Sequence, residues 1–140
     1  MSVVFILLAL LALAGGAFSF YFLQVTRLKM SPNVWWMPPV CRVGTRTCQT
    51  IVDTPYGRTF GRPNAFWGCL FYPVLFVVVL ATGWMDLNPT VILAFSIGMV
   101  SVSLYLLWGL FRLNTLCRVC MAVHTVNFLF FGLVVIELSG

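Results

Sequence analysis

Charged residues are scarce in this sequence. They make up 8% of its 140 positions, whereas apolar residues make up 61% and the mean hydropathy is +1.04. Because soluble domains are about one quarter charged, this composition excludes an ordinary soluble domain and indicates that lipid surrounds most of the chain. The eight Lys and Arg residues form no stripe, so the net charge of +5 does not indicate nucleic-acid binding. Internal repeats and low-complexity runs are also absent from the sequence.

Long apolar runs occupy most of the chain. A helix needs about 20 apolar residues to cross a bilayer core, and four stretches meet this requirement. They are Val3–Val25, Phe66–Trp84, Thr90–Phe111 and Cys117–Leu138. The first stretch has no basic residue ahead of it and is longer than the apolar region of a signal peptide, so we expect a retained span. Short connections elsewhere predict antiparallel neighbours. The sequence therefore predicts an all-α membrane protein, a four-transmembrane-helix bundle that forms one redox domain, 1–140.

The first two spans are joined by an unusually long loop, Thr26–Ala65. A connection of this length is usually functional or disordered, and the pair Trp35 and Trp36 favours a function because disordered segments are poor in aromatic residues. Tryptophans beside a membrane are typical interfacial anchors. With four spans, this loop and the turn Arg112–Leu116 must lie on the same side of the bilayer.

Four of the five cysteines form two close pairs, one pair at each of these same-side segments. Cys117 and Cys120 open the fourth span, where a spacing of three residues places both sulfurs on one helix face. Cys41 and Cys48 lie in the loop. We predict two redox-active pairs and no metal. The alternative is a four-thiolate zinc site, although zinc pairs usually have about two to four intervening residues, and the loop pair has six.

Polar residues continue along the face of the fourth span that carries the cysteines. His124 and Asn127 follow at helical steps, and Asn64, Cys69 and Tyr72 lie across from them at the start of the second span. Polar groups inside a bilayer usually face the bundle interior, where they bind a ligand or hydrogen-bond other helices. We predict that these five residues form a ligand pocket. The alternatives are hydrogen bonds to neighbouring helices for His124 and Asn127 and a packed apolar role for Cys69. The hydroxyl residues of the third span are assigned to helix packing: Ser96, Ser101 and Ser103.

Four motifs follow one another along the chain. They are Cys41-Arg-Val-Gly-Thr-Arg-Thr-Cys48, Phe60-Gly61-Arg62-Pro63-Asn64, Trp67-Gly68-Cys69-Leu70-Phe71-Tyr72 and Cys117-Arg-Val-Cys120. Their order, spacing and predicted membrane depth resemble the vitamin K epoxide reductase family, including its bacterial and archaeal quinone-linked homologues. The resemblance covers essentially the whole chain, from about residue 1 to residue 138. His124 stands where family members have a tyrosine, which keeps a possible donor but makes it titratable.

This resemblance implies a helix bundle around a quinone, either ubiquinone, menaquinone or vitamin K. Cys117 and Cys120 would be the active-site pair, with Cys120 facing the quinone. Cys41 and Cys48 would be a shuttle pair that receives electrons from a separate thioredoxin-like protein and exchanges with Cys117 through Cys48. Asn64 matches a family position that hydrogen-bonds the quinone. A thioredoxin-like domain, fused in many microbial relatives, is absent from this sequence, so we expect that partner to be a separate protein.

We therefore predict a membrane thiol–disulfide oxidoreductase linked to a quinone. It would support disulfide formation, reduction of vitamin K quinone or epoxide, or both. One alternative is a zinc-stabilised membrane scaffold or adaptor. Another is a reductase that sends electrons outward through the same residues.

Two rules give opposite predictions for the side of the membrane on which the cysteines lie. Most Lys and Arg residues lie on the cysteine side, which the positive-inside rule would place in the cytoplasm. Disulfide relays, however, operate where disulfides persist. We give the chemistry priority and expect a bacterial or archaeal cytoplasmic membrane with the cysteines outside, or an endoplasmic reticulum membrane with luminal cysteines.

Overall fold

Four long helices dominate the computed structural model. The structure describes residues 2–27, 29–42, 54–114 and 117–140. Within these ranges the helices are α1 (Val3–Thr26), α2 (Asn64–Met85), α3 (Thr90–Arg112) and α4 (Arg118–Ser139). Each is long and apolar enough to cross a membrane. The predicted fold class, an all-α membrane protein with four spans and a long loop between the first two, is confirmed.

Particular residues determine where the helices begin and end. Pro63 precedes α2 with an extended ψ of 146°, so the helix begins at Asn64 and includes that residue, which the sequence placed in the loop. Asp86 ends α2 in the left-handed conformation, with φ 52°. Cys117 has extended backbone angles and caps α4 from outside, so the helix itself begins at Arg118. Cys120 therefore lies in the first helical turn, whereas Cys117 lies just before it.

The helices pack unevenly. α1 lies against α2 and α4, and α3 lies against α4, whereas α2 and α3 make little contact with each other. Small residues allow the closest approach: a Cβ added to Gly15 of α1 would overlap the Tyr72 ring, and one added to Gly68 of α2 would overlap Ser19. Lipid tails are as apolar as leucine, so such close packing, rather than removal from water, holds membrane helices together. The sparse contact between α2 and α3 leaves space inside the bundle.

The described part of the loop after α1 is folded against the bundle. Tyr21 in α1 donates a hydrogen bond to the Pro32 carbonyl at 2.6 Å, and Arg42 donates to the carbonyls of Met37 and Val34 at 3.1 and 3.2 Å. The Met37 side chain is 2% exposed. These contacts fix a short 3-10 turn, Pro39–Cys41, which lies against α4.

A small β-hairpin, which the all-α prediction did not include, precedes α2. Its strands, β1 (Arg58–Thr59) and β2 (Arg62–Pro63), pair antiparallel. The two residues between them, Phe60 and Gly61, have φ values of 53° and 77°. Positive φ at both central positions is the pattern of a type I′ turn, the connection that matches the twist of a two-residue hairpin. The hairpin brings the end of the loop to the mouth of the bundle.

Candidate functional site

A cavity of about 490 Å³ occupies the space inside the bundle at the cysteine end. This volume lies within the range of small-molecule sites, roughly 300–1,000 Å³. All four helices and the segment before α2 contribute to its lining. Among the described lining residues none is Asp, Glu, Lys or Arg. The cavity therefore suits an uncharged, largely apolar ligand with few polar groups.

Four of the five residues predicted to bind a ligand line this cavity: Asn64, Tyr72, His124 and Asn127. The fifth, Cys69, is not among the lining residues and instead packs against the apolar cluster around Tyr21 and Cys117. Cys69 and Tyr72 are three residues apart on α2, but they pack in different apolar clusters, and only the tyrosine lines the cavity. The packed role considered for Cys69 thus fits its position.

The described cysteines of the two predicted pairs come together near the start of α4. Cys117 is fully buried within the cluster, and Cys41 and Cys120 are partly buried against it. Their chemical states differ: Cys117 is disulfide-bonded, while Cys41 and Cys120 are free. Cys120 lines the cavity and Cys117 does not. Cys48 lies outside the described residues.

Asn64 holds the hairpin segment over the cavity. Its side-chain amide donates to the Tyr56 carbonyl at 2.7 Å, and its carbonyl oxygen accepts from the Thr59 hydroxyl at 2.7 Å. Trp67, one turn later on α2, donates from Nε1 to the Thr59 carbonyl at 2.8 Å. Side chains that bond loop backbone in this way satisfy groups that would otherwise lack partners. The start of α2 therefore positions one wall of the cavity.

Tyr56 anchors the same segment to the opposite side of the cavity. Its ring packs on α3 where Gly109 has no side chain, so that a Cβ there would lie 2.6 Å from Cδ1 of the tyrosine. The ring also lies beside Tyr105, with a centroid distance of 5.9 Å. Sequence reasoning missed Tyr56 and Gly109, because a glycine in an apolar helix gives no signal of which residue it accommodates. Together Asn64 and Tyr56 connect α2 to α3 across the cavity mouth.

A buried hydrogen-bond chain connects three helices deeper in the cavity. The Tyr72 hydroxyl donates to Oδ1 of Asn127 at 2.5 Å, and Nδ2 of Asn127 donates to the Ser103 hydroxyl at 2.7 Å. All three side chains are buried, and α2, α3 and α4 each supply one. Ser103, which the sequence assigned to helix packing, is thus a member of this polar chain. We call Tyr72, Asn127 and Ser103 the interhelical clamp.

His124 differs from the clamp residues in its hydrogen bonding. It lines the cavity and is only 5% exposed, yet its Nδ1 has no hydrogen-bond partner among the described residues. Buried polar atoms in native proteins almost always have a partner. The imidazole therefore keeps hydrogen-bonding capacity that the protein does not use, next to a cavity that can hold a ligand.

Comparison with known proteins agrees with these features. The model of the vitamin K epoxide reductase family matches residues 6–135, which is most of the chain. No curated protein matches the sequence. The family consists of membrane-embedded thiol oxidoreductases linked to quinones. The four apolar spans and the cysteines beside a neutral cavity agree with this description. The chain belongs to the vitamin K epoxide reductase family, and it is an integral membrane oxidoreductase.

Proposed function

We propose that this protein oxidises the dithiol of a separate thioredoxin-like protein and passes the electrons to a quinone bound in the cavity. One observation carries the proposal: the free thiol of Cys120 lines a neutral cavity inside the bundle, while the adjacent Cys117, outside that cavity, is disulfide-bonded. The two neighbouring sulfurs thus have different surroundings. In this proposal the Cys120 sulfur faces the lipid-soluble ligand, and the Cys117 sulfur reacts with the loop.

The cavity residues have distinct parts in this proposal. An uncharged quinone ring fits a lining without ionised side chains. Its carbonyl oxygens would accept hydrogen bonds from His124 and from the Asn64 amide, which has a second N–H besides the one that donates to Tyr56. Tyr72 and Asn127 form the wall, since their polar groups bond one another. Cys69 lies behind this wall and does not contact the ligand. A quinone supplies two-electron chemistry when bound, and the protein supplies position and polarity.

The proposed relay moves two electrons from the loop pair to the cavity. Cys117 and Cys120 first lose two electrons and two protons to the quinone and form a disulfide. The Cys48 thiolate then attacks the sulfur of Cys117 and releases the Cys120 thiol. Cys41 next attacks Cys48, which frees Cys117. The resulting loop disulfide oxidises the partner's dithiol, and the cycle closes with atoms and electrons balanced.

The states of the described cysteines match an intermediate of this relay. A disulfide at Cys117 together with free thiols at Cys41 and Cys120 is the state expected after the Cys48 attack. The 3-10 turn that carries Cys41 lies against α4, which supports its place as the next thiol in the sequence.

A purified-protein assay tests the proposal. The protein is supplied with a dithiol donor and with ubiquinone, menaquinone, vitamin K quinone or vitamin K epoxide in turn, and each reduced product is measured. We expect reduction of at least one of them, and we expect Cys120→Ala to lower it to the rate without protein. Turnover by Cys120→Ala at the wild-type rate would refute the mechanism. Stoichiometric zinc with no redox cycling would instead support the scaffold alternative.

A further inference from the structure

Among the described residues that line the cavity, only His124 has a buried side-chain nitrogen or oxygen without a hydrogen-bond partner. The clamp residues use one another, and Asn64 is bonded to Tyr56 and Thr59. His124 is almost fully buried, and its Nδ1 has no partner among the described residues. A polar atom in this position costs free energy unless a ligand or a proton transfer makes use of it. The His124 ring therefore lies at the cavity with hydrogen-bonding capacity that no described residue uses.

The surroundings of His124 leave few other groups that could move a proton. The titratable lining side chains are Tyr56 from the loop, Tyr72 from α2, Tyr105 from α3 and Cys120 from α4, and α1 contributes only phenylalanine and serine to the lining. The described lining contains no carboxylate and no ammonium group. Imidazole is the side chain that takes up and releases protons near neutral pH. His124 is the sole histidine of the chain.

Helix geometry places this imidazole beside the thiol that faces the cavity. Cys120 and His124 are four residues apart in α4, so they are neighbours on one helix face, about one turn apart. Both line the same cavity. A ligand carbonyl at this level would lie within reach of the thiol and the imidazole at once.

Resting on the proposed function, we infer that His124 is a catalytic residue that transfers a proton from the Cys120 thiol to a carbonyl oxygen of the quinone. In this step the S–H bonds of Cys117 and Cys120 break, one S–S bond forms, and two electrons pass to the quinone. His124 gives its N–H proton to one quinone oxygen and regains a proton from Cys120. The Cys117 proton completes the hydroquinone, so protons and electrons balance.

A spectroscopic test uses wild-type His124 and requires no turnover. Protein labelled with ¹⁵N only in histidine gives signals from one imidazole. In a Cys120→Ser background, ubiquinone-1 or menadione is added at saturating concentration. We expect an imidazole nitrogen signal to shift on quinone addition because a new hydrogen bond forms at the ring. Unchanged ring signals, with binding shown independently by quenching of tryptophan fluorescence, would overturn the inference.

A kinetic test separates proton transfer from binding. His124→Gln keeps hydrogen-bonding capacity but cannot transfer a proton near neutral pH, so kcat should fall about 100-fold while KM changes less than about threefold. His124→Leu should raise KM as well. A His124→Gln kcat within threefold of wild type would refute the proton role. If the wild-type protein reduces no quinone at all, the proposed function fails instead, so the two failures are distinguishable.

Discussion

The amide of Asn64 forms hydrogen bonds that hold the cavity wall in place, and its removal has a predictable cost. Asn64→Ala leaves the Tyr56 carbonyl and the Thr59 hydroxyl without their partner, which should lower the free energy of unfolding by about 1–3 kcal/mol. Thr59→Val removes only one of the two bonds and should cost less. Unfolding midpoints measured in detergent check both changes. Equal midpoints for wild type and Asn64→Ala would show that these bonds contribute nothing.

Cys69 and Cys120 provide a matched pair of free cysteines with different surroundings. Cys120 lines the cavity, whereas Cys69 packs behind it. We expect Cys69→Ala to retain quinone reduction within about twofold, because a buried free cysteine acts as a small apolar residue. The dithiol–quinone assay measures this directly. Loss of turnover comparable to that of Cys120→Ala would return Cys69 to the ligand site.

Gly109 of α3 leaves room for the ring of Tyr56, and this contact joins the loop to the helix. In Gly109→Val the new side chain would meet the Tyr56 ring, since even a Cβ lies 2.6 Å from it. Displacement of Tyr56 should loosen the cavity mouth and raise KM for quinone about fivefold, equivalent to about 1 kcal/mol. Gly132→Ala is the control, because a Cβ there meets nothing within 4 Å. An unchanged KM in Gly109→Val would contradict the anchoring role of Tyr56.

The interhelical clamp joins α2, α3 and α4 through Asn127. Side-chain hydrogen bonds between membrane helices average about 0.6 kcal/mol and reach about 1.7 kcal/mol, so Asn127→Leu, which removes two, should cost about 1–3 kcal/mol. Ser101→Ala is the control, because Ser101 is exposed and its hydroxyl donates to the Ile97 carbonyl of its own helix. Detergent unfolding titrations measure both. A cost for Asn127→Leu no larger than that for Ser101→Ala would argue against the clamp.

At the scale of the whole molecule, four spans place the cysteine end on one side of the membrane and the turn at Asp86 on the other. We predict that the cysteine end faces outside the cytoplasm, because disulfides persist there. An impermeant maleimide applied to intact cells should label Cys41 in a variant whose other four cysteines are replaced. It should not label a cysteine introduced as Asp86→Cys in a protein lacking its native cysteines. The reverse pattern would place the cysteines in the cytoplasm, as the positive-inside rule indicates.

Local sequence properties account for the helices and for much of the cavity lining. Apolar runs long enough to cross a bilayer and proline or turn residues between them are readable from neighbouring positions. The regular rotation of a helix is also local, so the positions of His124 and Asn127 on one face with Cys120 follow from their spacing alone. These local features predict the fold class and the place of His124 and Asn127 in the cavity lining.

Contacts between distant positions were decided only by the tertiary structure. Asn127 bonds residues that lie 24 and 55 positions away, and neither spacing nor hydropathy indicates such a partner. The same holds for the contact between the Tyr56 ring and Gly109 and for the packing of Cys69 outside the cavity. Local sequence determines which groups a helix offers, but packing determines which of them find partners. His124 shows the difference, since the sequence placed it in a pocket and the structure revealed that its Nδ1 is unpartnered among the described residues.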